Sequence, residues 1–557
     1  MTTPTLSPQQ QAVVDWVVDG RGSLNLIARA GCGKTYTLLR GAVRAIVEHN
    51  RGEVAVMAFN KAIADEFKVK LQELATETGD RRFVDWKRVD TGTVHSFGFR
   101  TWRREMTTPR EQQVDEKKVI KLIDGRAEDL QRRGAERNIW RDCGPALRKA
   151  VSLAKQAAFG VLCGLEDRGR WYELLEHHGV NELADGYELD ELVPAAIELL
   201  KVSISLDREV VDFDDMIFAP LYHKVRFWPK DWVLIDEAQD TNPARRALAL
   251  AMLKPRTGRL IAVGDDRQAI YGFTGADADA LELIKAELNS AELPLNVTYR
   301  CPRAVVAEAN RLVPDLTAHE SAPEGIVRTS ATVHHSCKEC GSNDLTGSSC
   351  TNDCRPEYLE HYQWFQVEPP AATSVILCRN TKPIIEQAYA MLRHGVGCRV
   401  EGREIGEGLL TLARRWKRIR SLAQLVDKLE DYQSRETQRW LAKGKEDRAQ
   451  QIEDKCETVR VICLQLLADG KSKLADLEAF VHNLFGDTKP GERPNVVTLS
   501  TIHKAKGREW DCVYLLDRSG TLPSKWARKP WQLRQEENLE YVAITRSKHE
   551  LVYLEVV

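Results

Sequence analysis

Short apolar runs alternate along this chain with longer stretches of helical spacing. Asn25-Leu26-Ile27-Ala28 reads as the end of a buried strand, passes into a glycine-containing loop, and is followed by a helix-compatible stretch from Tyr36 to Val47. Asp231-Trp232-Val233-Leu234-Ile235 is a second apolar run of strand length, and it ends in acids. Ser374-Val375-Ile376-Leu377-Cys378-Arg379-Asn380 is a third. Between Phe97 and Asp231 the chain favours helices, with apolar spacing and interleaved Lys and Arg over Lys117 to Gly125 and Ala146 to Ala158. A second helical, charge-rich stretch runs from Gly408 to Asp487 and closes near Lys489-Pro490-Gly491. The pattern predicts an α/β chain with helical insertions.

Composition changes that picture little. At 557 residues the chain has room for about four domains of ~150 residues. A hydrophobic share of 43% and a charged share of 29% suit an ordered, well-cored protein. The net charge of -2 does not point to nucleic acid, but only a surface that touches phosphates has to be basic. Met1 to Gln10 lacks a basic start and an apolar core, so no signal peptide is expected, and no apolar run approaches the ~20 residues that span a bilayer. Most of the thirteen cysteines are scattered singly, as in a reducing cytoplasm.

The chemistry begins after the first strand. Ala28-Arg29-Ala30-Gly31-Cys32-Gly33-Lys34-Thr35 is a Walker A loop with Ala28 in place of the first glycine. Gly31 and Gly33 let backbone N–H groups turn inward around phosphate oxygens, and the following helix N-terminus adds a favourable dipole. Lys34 would reach the β- and γ-phosphates, Thr35 would offer its hydroxyl to Mg²⁺, and Cys32 is a small residue that the loop tolerates. The second apolar run ends in Asp236-Glu237-Ala238-Gln239-Asp240, where an open α/β sheet places its ligands. Asp236 would hold Mg²⁺ through water and Glu237 would orient and deprotonate the attacking water.

With these two elements in place, the chain resembles superfamily 1 helicases of the UvrD/Rep type, through an ordered series of motifs over most of its length. Leu6-Ser7-Pro8-Gln9-Gln10 resembles the Q motif, in which Gln10 would read the adenine edge. Val54 to Glu66, with Phe59-Asn60-Lys61-Ala62, resembles motif Ia, and Thr91-Gly92-Thr93-Val94-His95-Ser96-Phe97 the next motif, which contacts the nucleic acid backbone. Val263 to Phe273 is similar to motif III, Leu295 to Pro302 to motif IV, Val497 to Trp510 to motif V and Glu540 to Ser547 to motif VI.

The resemblance implies two RecA-like P-loop lobes that share one nucleotide. The second lobe would supply Arg300 and Arg546 as cationic fingers on the γ-phosphate, Tyr299 to stack on adenine and Glu509 to bond the ribose, while Gln268 would sense the γ-phosphate. Ala30 and Tyr36 flank the phosphate loop on the nucleotide side. Nucleic acid would meet Asn60, Thr93, His95, Tyr271, Phe273 and His503; Phe273 reads either as a base-stacking residue or as a core aromatic. Three positions depart from the family: Tyr36 stands where an arginine often follows the P-loop threonine, Thr274 follows Phe273 where an arginine is common, and Phe59 sits one place late.

The implied division is 1–100 and 211–285 for lobe 1A, with helical insertion 1B at 101–210. Lobe 2A takes 286–330, 359–406 and 491–557, interrupted by a zinc-binding insert at 331–358 and a reduced helical 2B-like insertion at 407–490. Arg103, Arg104 and Arg148 in 1B face either a duplex or solvent. Motif VI lies close to the last residue of this sequence, so an appended nuclease is not expected.

The zinc assignment rests on Cys337, Cys340, Cys350 and Cys354, two close thiolate pairs joined by a short polar loop, a spacing that suits a structural, zinc-ribbon-like Zn²⁺ site. Disulfides or idle thiols are the other readings, and His334 and His335 are substitute ligands.

The sequence thus predicts an ATP- and Mg²⁺-dependent DNA helicase, monomeric and cytoplasmic, without a membrane partner. By resemblance it moves 3′ to 5′ on single-stranded DNA and works at junctions of single- and double-stranded DNA. A translocase on DNA or RNA that remodels protein complexes without processive unwinding is the alternative. A non-catalytic, zinc-containing adaptor is a third reading, against which Lys34, Asp236, Glu237, Arg300 and Arg546 all speak.

Overall fold

A computed structural model describes residues 6–105, 113–180, 183–184, 186–270, 279–337, 343–344, 359–394, 396–416, 419–442, 446–485, 496–528 and 530–556. The chain divides into two compact units, Met1–Arg29 with Gly33–Leu295, and Ala30–Cys32 with Asn296–Val557.

The first unit is built on strands β1 (Leu24–Ala28), β2 (Val54–Ala58), β3 (Val89–Thr93), β4 (Trp232–Ile235), β5 (Arg259–Gly264) and β6 (Ala291–Leu295). They form one sheet in the order β3-β2-β4-β5-β1-β6, and every neighbouring pair is parallel. All residues of β2 and β4 are buried, as expected of parallel strands covered on both faces. The edge strand β6 pairs with β1 from Leu24↔Ala291 to Ala28↔Leu295, which carries the first unit past residue 285. Its sequence, Ala-Glu-Leu-Pro-Leu, is too polar to read as a strand, and its proline is tolerated because an edge can spare an N–H.

The helical insertion carries the Lys118–Arg132, Gly144–Gln156, Arg168–His177 and Leu189–Ser205 helices, closed around a core that includes Trp140, Leu147, Trp171 and Leu199. Beneath it lies a buried charge network. Lys155 Nζ lies 2.7 Å from Asp212 Oδ2 and 2.6 Å from Asp215 Oδ1, and Lys118 Nζ lies 2.8 Å from Asp207 Oδ1 and 2.7 Å from Asp215 Oδ2.

The second unit has its own parallel sheet of β7 (Ile326–Ala331), β8 (Val375–Cys378), β9 (Cys398–Val400), β10 (Val497–Thr501), β11 (Trp510–Leu516) and β12 (Ser547–Glu555), in the order β7-β12-β11-β8-β10-β9. A small antiparallel sheet joins Val333–Cys337 to Asn343–Asp344 and Leu359–Gln363. The Arg403–Ala413, Leu422–Ala442, Glu446–Ala468 and Leu474–Leu484 helices form the second insertion. Leu425, Leu429, Val459, Ile462 and Leu477 from these helices belong to the same apolar core as Ile376, Val400, Leu499 and Tyr514 from the sheet. The insertion is therefore packed into the unit's core.

Candidate nucleotide and nucleic-acid site

The chain leaves β1 at Ala28 and turns through Gly31 (φ 73°) and Gly33 (φ 76°), a left-handed backbone that side chains disfavour. A Cβ on Gly33 would come within 3.1 Å of Gln10 Nε2, so the glutamine amide borders the loop. Gln10 is buried and is held by a reciprocal cap in which its Oε1 accepts from Ser7 N at 3.0 Å. The Lys34–Tyr36 helix turn continues as a π-helical stretch, Thr37–Val43, and then as the Arg44–Glu48 α-helix.

The end of β4 delivers the carboxylates. Asp236 is buried, and Glu237 adopts φ 52°, a conformation that a non-glycine residue holds only when its surroundings enforce it. Lys34 Nζ donates to both Glu237 carboxylate oxygens at 3.0 Å. Gln239 Nε2 donates to Glu237 Oε2 at 2.5 Å, and Gln239 Oε1 accepts from Asp265 N at 3.1 Å. Gln268 Nε2 donates to Asp265 Oδ2 at 2.7 Å, and Arg29 Nη1 lies 3.0 Å from Asp265 and 2.6 Å from Asp266. One polar chain thus joins the phosphate-loop lysine to the expected γ-phosphate sensor. Arg29, Gln239 and Asp265 complete it, and none was singled out from the sequence.

Burial works against the Lys34 charge, but Glu237, Asp236 and Asp265 outweigh it and raise its pKa. Burial, reinforced by the neighbouring Glu237 charge, pushes the Asp236 carboxyl up against the pull of Lys34. A buried carboxyl at a strand end, whose charge is incompletely compensated, fits the hard oxygen donors that Mg²⁺ takes.

The second unit gathers the expected guanidinium groups. Arg300 Nε donates to Glu509 Oε2 at 2.6 Å and its Nη1 to Thr545 O at 3.3 Å. Glu509 also pairs with Lys548 at 2.8 Å, and despite its burial the two cations hold its carboxyl below the usual range. Arg546 is buried and donates from Nε to Val542 O at 2.9 Å, from Nη1 to Arg508 O at 3.2 Å and from Nη2 to Thr545 Oγ1 at 3.2 Å. Thr545 is a neighbour of both arginines. Tyr299 is 48% exposed, with its ring backed by His319 at 4.7 Å, so a flat face remains for stacking.

Several expected nucleic-acid contacts turn out to do local structural work. Asn60 caps the Lys61–Thr78 helix by accepting from Ile63 N at 2.9 Å, and Thr93 caps the Val94–Arg104 helix by accepting from Ser96 N at 3.1 Å. Both caps stand at the C-terminal ends of adjacent strands, β2 and β3. His95 packs against the half-exposed Phe213 ring at 5.5 Å, and Arg245 lies 4.7 Å over Phe59. Burial first, then the Arg245 charge, lowers the His95 pKa to about 4. In the second unit burial, followed by Arg379 and Lys506, lowers that of His503 to about 3. Phe213 and Arg245 extend the set beyond the residues picked from the sequence. Tyr271, Phe273, Cys340, Cys350 and Cys354 lie outside the described residues, as does the Cys337 side chain. Among the described residues no group of three or more His, Cys, Asp or Glu gathers as a metal cluster, and no helix is long and apolar enough to cross a membrane.

The UvrD/REP helicase N-terminal domain matches residues 6–289, and the UvrD-like helicase C-terminal domain matches residues 360–555. The chain belongs to the UvrD/REP helicase family. It is 28% identical to DNA helicase IV of Escherichia coli (strain K12) over 343 residues, which cover 55% of this chain and 47% of that protein. It is 25% identical to the ATP-dependent DNA helicase PcrA of Staphylococcus aureus over 332 residues, covering 55% and 39%. Its identity to the probable DNA helicase II homolog of Mycoplasma pneumoniae is 24% over 351 residues, covering 57% and 43%. The matches span less than half the length of these relatives. Within this UvrD/REP family member, the lysine–carboxylate cluster and the guanidinium pair fall on motifs named from the sequence.

Proposed function

We propose that the chain is an ATP-dependent DNA helicase that moves 3′ to 5′ along single-stranded DNA and unwinds duplex at junctions. The observation that carries the reading is the Lys34–Glu237 pair beside buried Asp236 at the C-terminal edge of a parallel sheet. Before nucleotide arrives, Lys34 and Glu237 neutralise one another; phosphates would draw Lys34 away and free Glu237 to accept a proton from water. Thr35 and Asp236 would hold Mg²⁺, which supplies positive charge to the phosphates. Gln268 is linked to Glu237 through Asp265 and Gln239, so occupancy of the γ-phosphate position would reach the segment that follows Gln268. Arg300 and Arg546 would stabilise the charge that develops on the transferred phosphoryl group. Glu509 would exchange its bond to Arg300 for the ribose, and Tyr299 would stack on the base.

The decisive experiment combines strand-stimulated ATP hydrolysis with unwinding of duplexes carrying 3′ or 5′ tails. The reading requires unwinding of the 3′-tailed substrate and its loss in Lys34→Ala. Hydrolysis stimulated equally by RNA, or hydrolysis without unwinding, would instead favour a remodelling translocase. The reading extends to one structural Zn²⁺ on Cys337, Cys340, Cys350 and Cys354, supported by their spacing.

A further inference from the structure

Trp86 and Trp228 stand apart from the other tryptophans. Trp102, Trp140, Trp171, Trp232, Trp364 and Trp526 are buried, whereas Trp86 is 55% exposed and Trp228 56% exposed. They come from loops far apart in sequence, one preceding β3 and one preceding β4, strands separated in the sheet by β2. The topology therefore brings them together at the N-terminal edge of the first sheet. The P-loop, Asp236, Asn60 and Thr93 all stand at the opposite edge, where strands end.

The two indoles meet edge to face, with centroids 6.1 Å apart at 83°. Arg104 lies 5.5 Å over the Trp228 ring and is held there by a hydrogen bond to the Arg226 carbonyl, while Lys87 lies 5.9 Å from the Trp86 ring. Lys87, Lys224 and Arg226 are exposed and form no ion pair among the described residues. Of the acids beside these residues, Glu105 pairs with Arg104 at 3.6 Å, Asp80 is bound by the Arg82 guanidinium at 2.7 and 2.9 Å, and Asp85 accepts from the Lys87 N–H at 3.1 Å. The face is thus aromatic and cationic at once.

We propose that this face is a second binding surface for single-stranded nucleic acid, distinct from the tract at the C-terminal edge of the sheet. Bases stack on exposed rings whatever their sequence, and phosphates seek unpaired cations; that combination defines a strand-binding surface. An acidic peptide would use the cations but leave two indoles in water, so the nucleic acid is favoured. The proposal rests on the helicase reading only for the class of ligand. It assigns the face to a stretch of strand outside the one gripped for translocation.

The test is fluorescence anisotropy without nucleotide, using oligothymidylates of roughly 10 nucleotides, the order of one channel's site size, and about four times that length. The double variant Trp86→Ala/Trp228→Ala should bind the longer oligomer at least about tenfold more weakly and the shorter one unchanged. Lys87→Ser/Arg226→Ser should lower the slope of log affinity against log salt by about 1.4 for the longer oligomer alone. Stimulation of ATP hydrolysis by the short oligomer should persist in both variants, which separates this face from the motor. Equal affinity of wild type and both variants for the longer oligomer overturns the proposal. So does a wild-type preference for a glutamate-rich peptide that the tryptophan variant loses while its oligomer binding stays intact. Absence of binding by either oligomer to the wild type would overturn the helicase reading and this one together.

Discussion

Lys155→Met removes one of two buried cations that balance the aspartates under the helical insertion. Lys155 and Asp215 are both essentially inaccessible, and Lys155 contacts Asp212 and Asp215 at 2.7 and 2.6 Å. Burial opposes the Lys155 charge, but the two aspartates outweigh it and raise its pKa. The Asp212 carboxyl is pushed up by burial, with Lys155 pulling it back down. Methionine fills much of the same volume, so the dominant loss is charge balance. An uncompensated buried charge costs about 3–5 kcal/mol, and Lys118 still neutralises part of Asp215, which places the expected loss near 3 kcal/mol.

A urea titration read by amide hydrogen exchange in the Lys118–Arg132 and Gly144–Gln156 helices follows the transition that involves this insertion. Without Lys155, the folded carboxyls bind protons more tightly than the unfolded ones. The deficit should therefore narrow as pH falls from about 7 towards about 5. Lys155→Met/Asp212→Asn should recover part of it, because contacting residues are not additive. A loss below about 1 kcal/mol, or strict additivity in the double variant, would refute the assignment of a coupled charge network.

Glu237→Gln should lower the rate of strand-stimulated ATP hydrolysis by at least about 100-fold while changing strand affinity less than about twofold; wild-type turnover would contradict its role at the water. His95 and His503 are held neutral, with pKa values lowered to about 4 and about 3 from 6.5, so their stabilising contribution is complete above about pH 6.5 and fades as pH falls below it. Each contributes at most about 1.4 kcal/mol of lost stability per pH unit there, and melting temperatures of His95→Gln/His503→Gln should fall less steeply between about pH 7.5 and 5.5 than those of the wild type. Gly33→Ala must hold a side chain at φ 76° against Gln10, and should cost about 1 kcal/mol in nucleotide affinity by calorimetry; unchanged affinity would show that the loop relaxes freely. Elemental analysis should return about one zinc per chain, falling in Cys340→Ser/Cys350→Ser; a metal-free native preparation would contradict the site.

The phosphate loop and the Asp236-Glu237 strand end were legible because buried parallel strands leave unbroken apolar runs and because left-handed turns demand glycine at Gly31 and Gly33. What escaped the sequence depends on folding. Gln239 and Asp265 become a relay only when β4 and β5 lie side by side, which no local pattern encodes. Trp86 and Trp228 meet only through strand order. Asn60 and Thr93 were assigned from motif position, yet their side-chain oxygens first satisfy helix N–H groups, a need written in the β-to-α transition itself. The Arg300–Glu509 ion pair joins two motifs that were read separately.

The helices of the second insertion share their core with the second sheet, which limits what that insertion can do on its own. Leu425, Leu429, Val459 and Ile462 are inaccessible to solvent. Swinging these helices off the sheet would uncover the part of this shared core that lies between them, at about 25 cal/mol for each Å² of apolar surface exposed. A shared core of this kind favours sheet and insertion travelling as one body, with rearrangement at joints outside it.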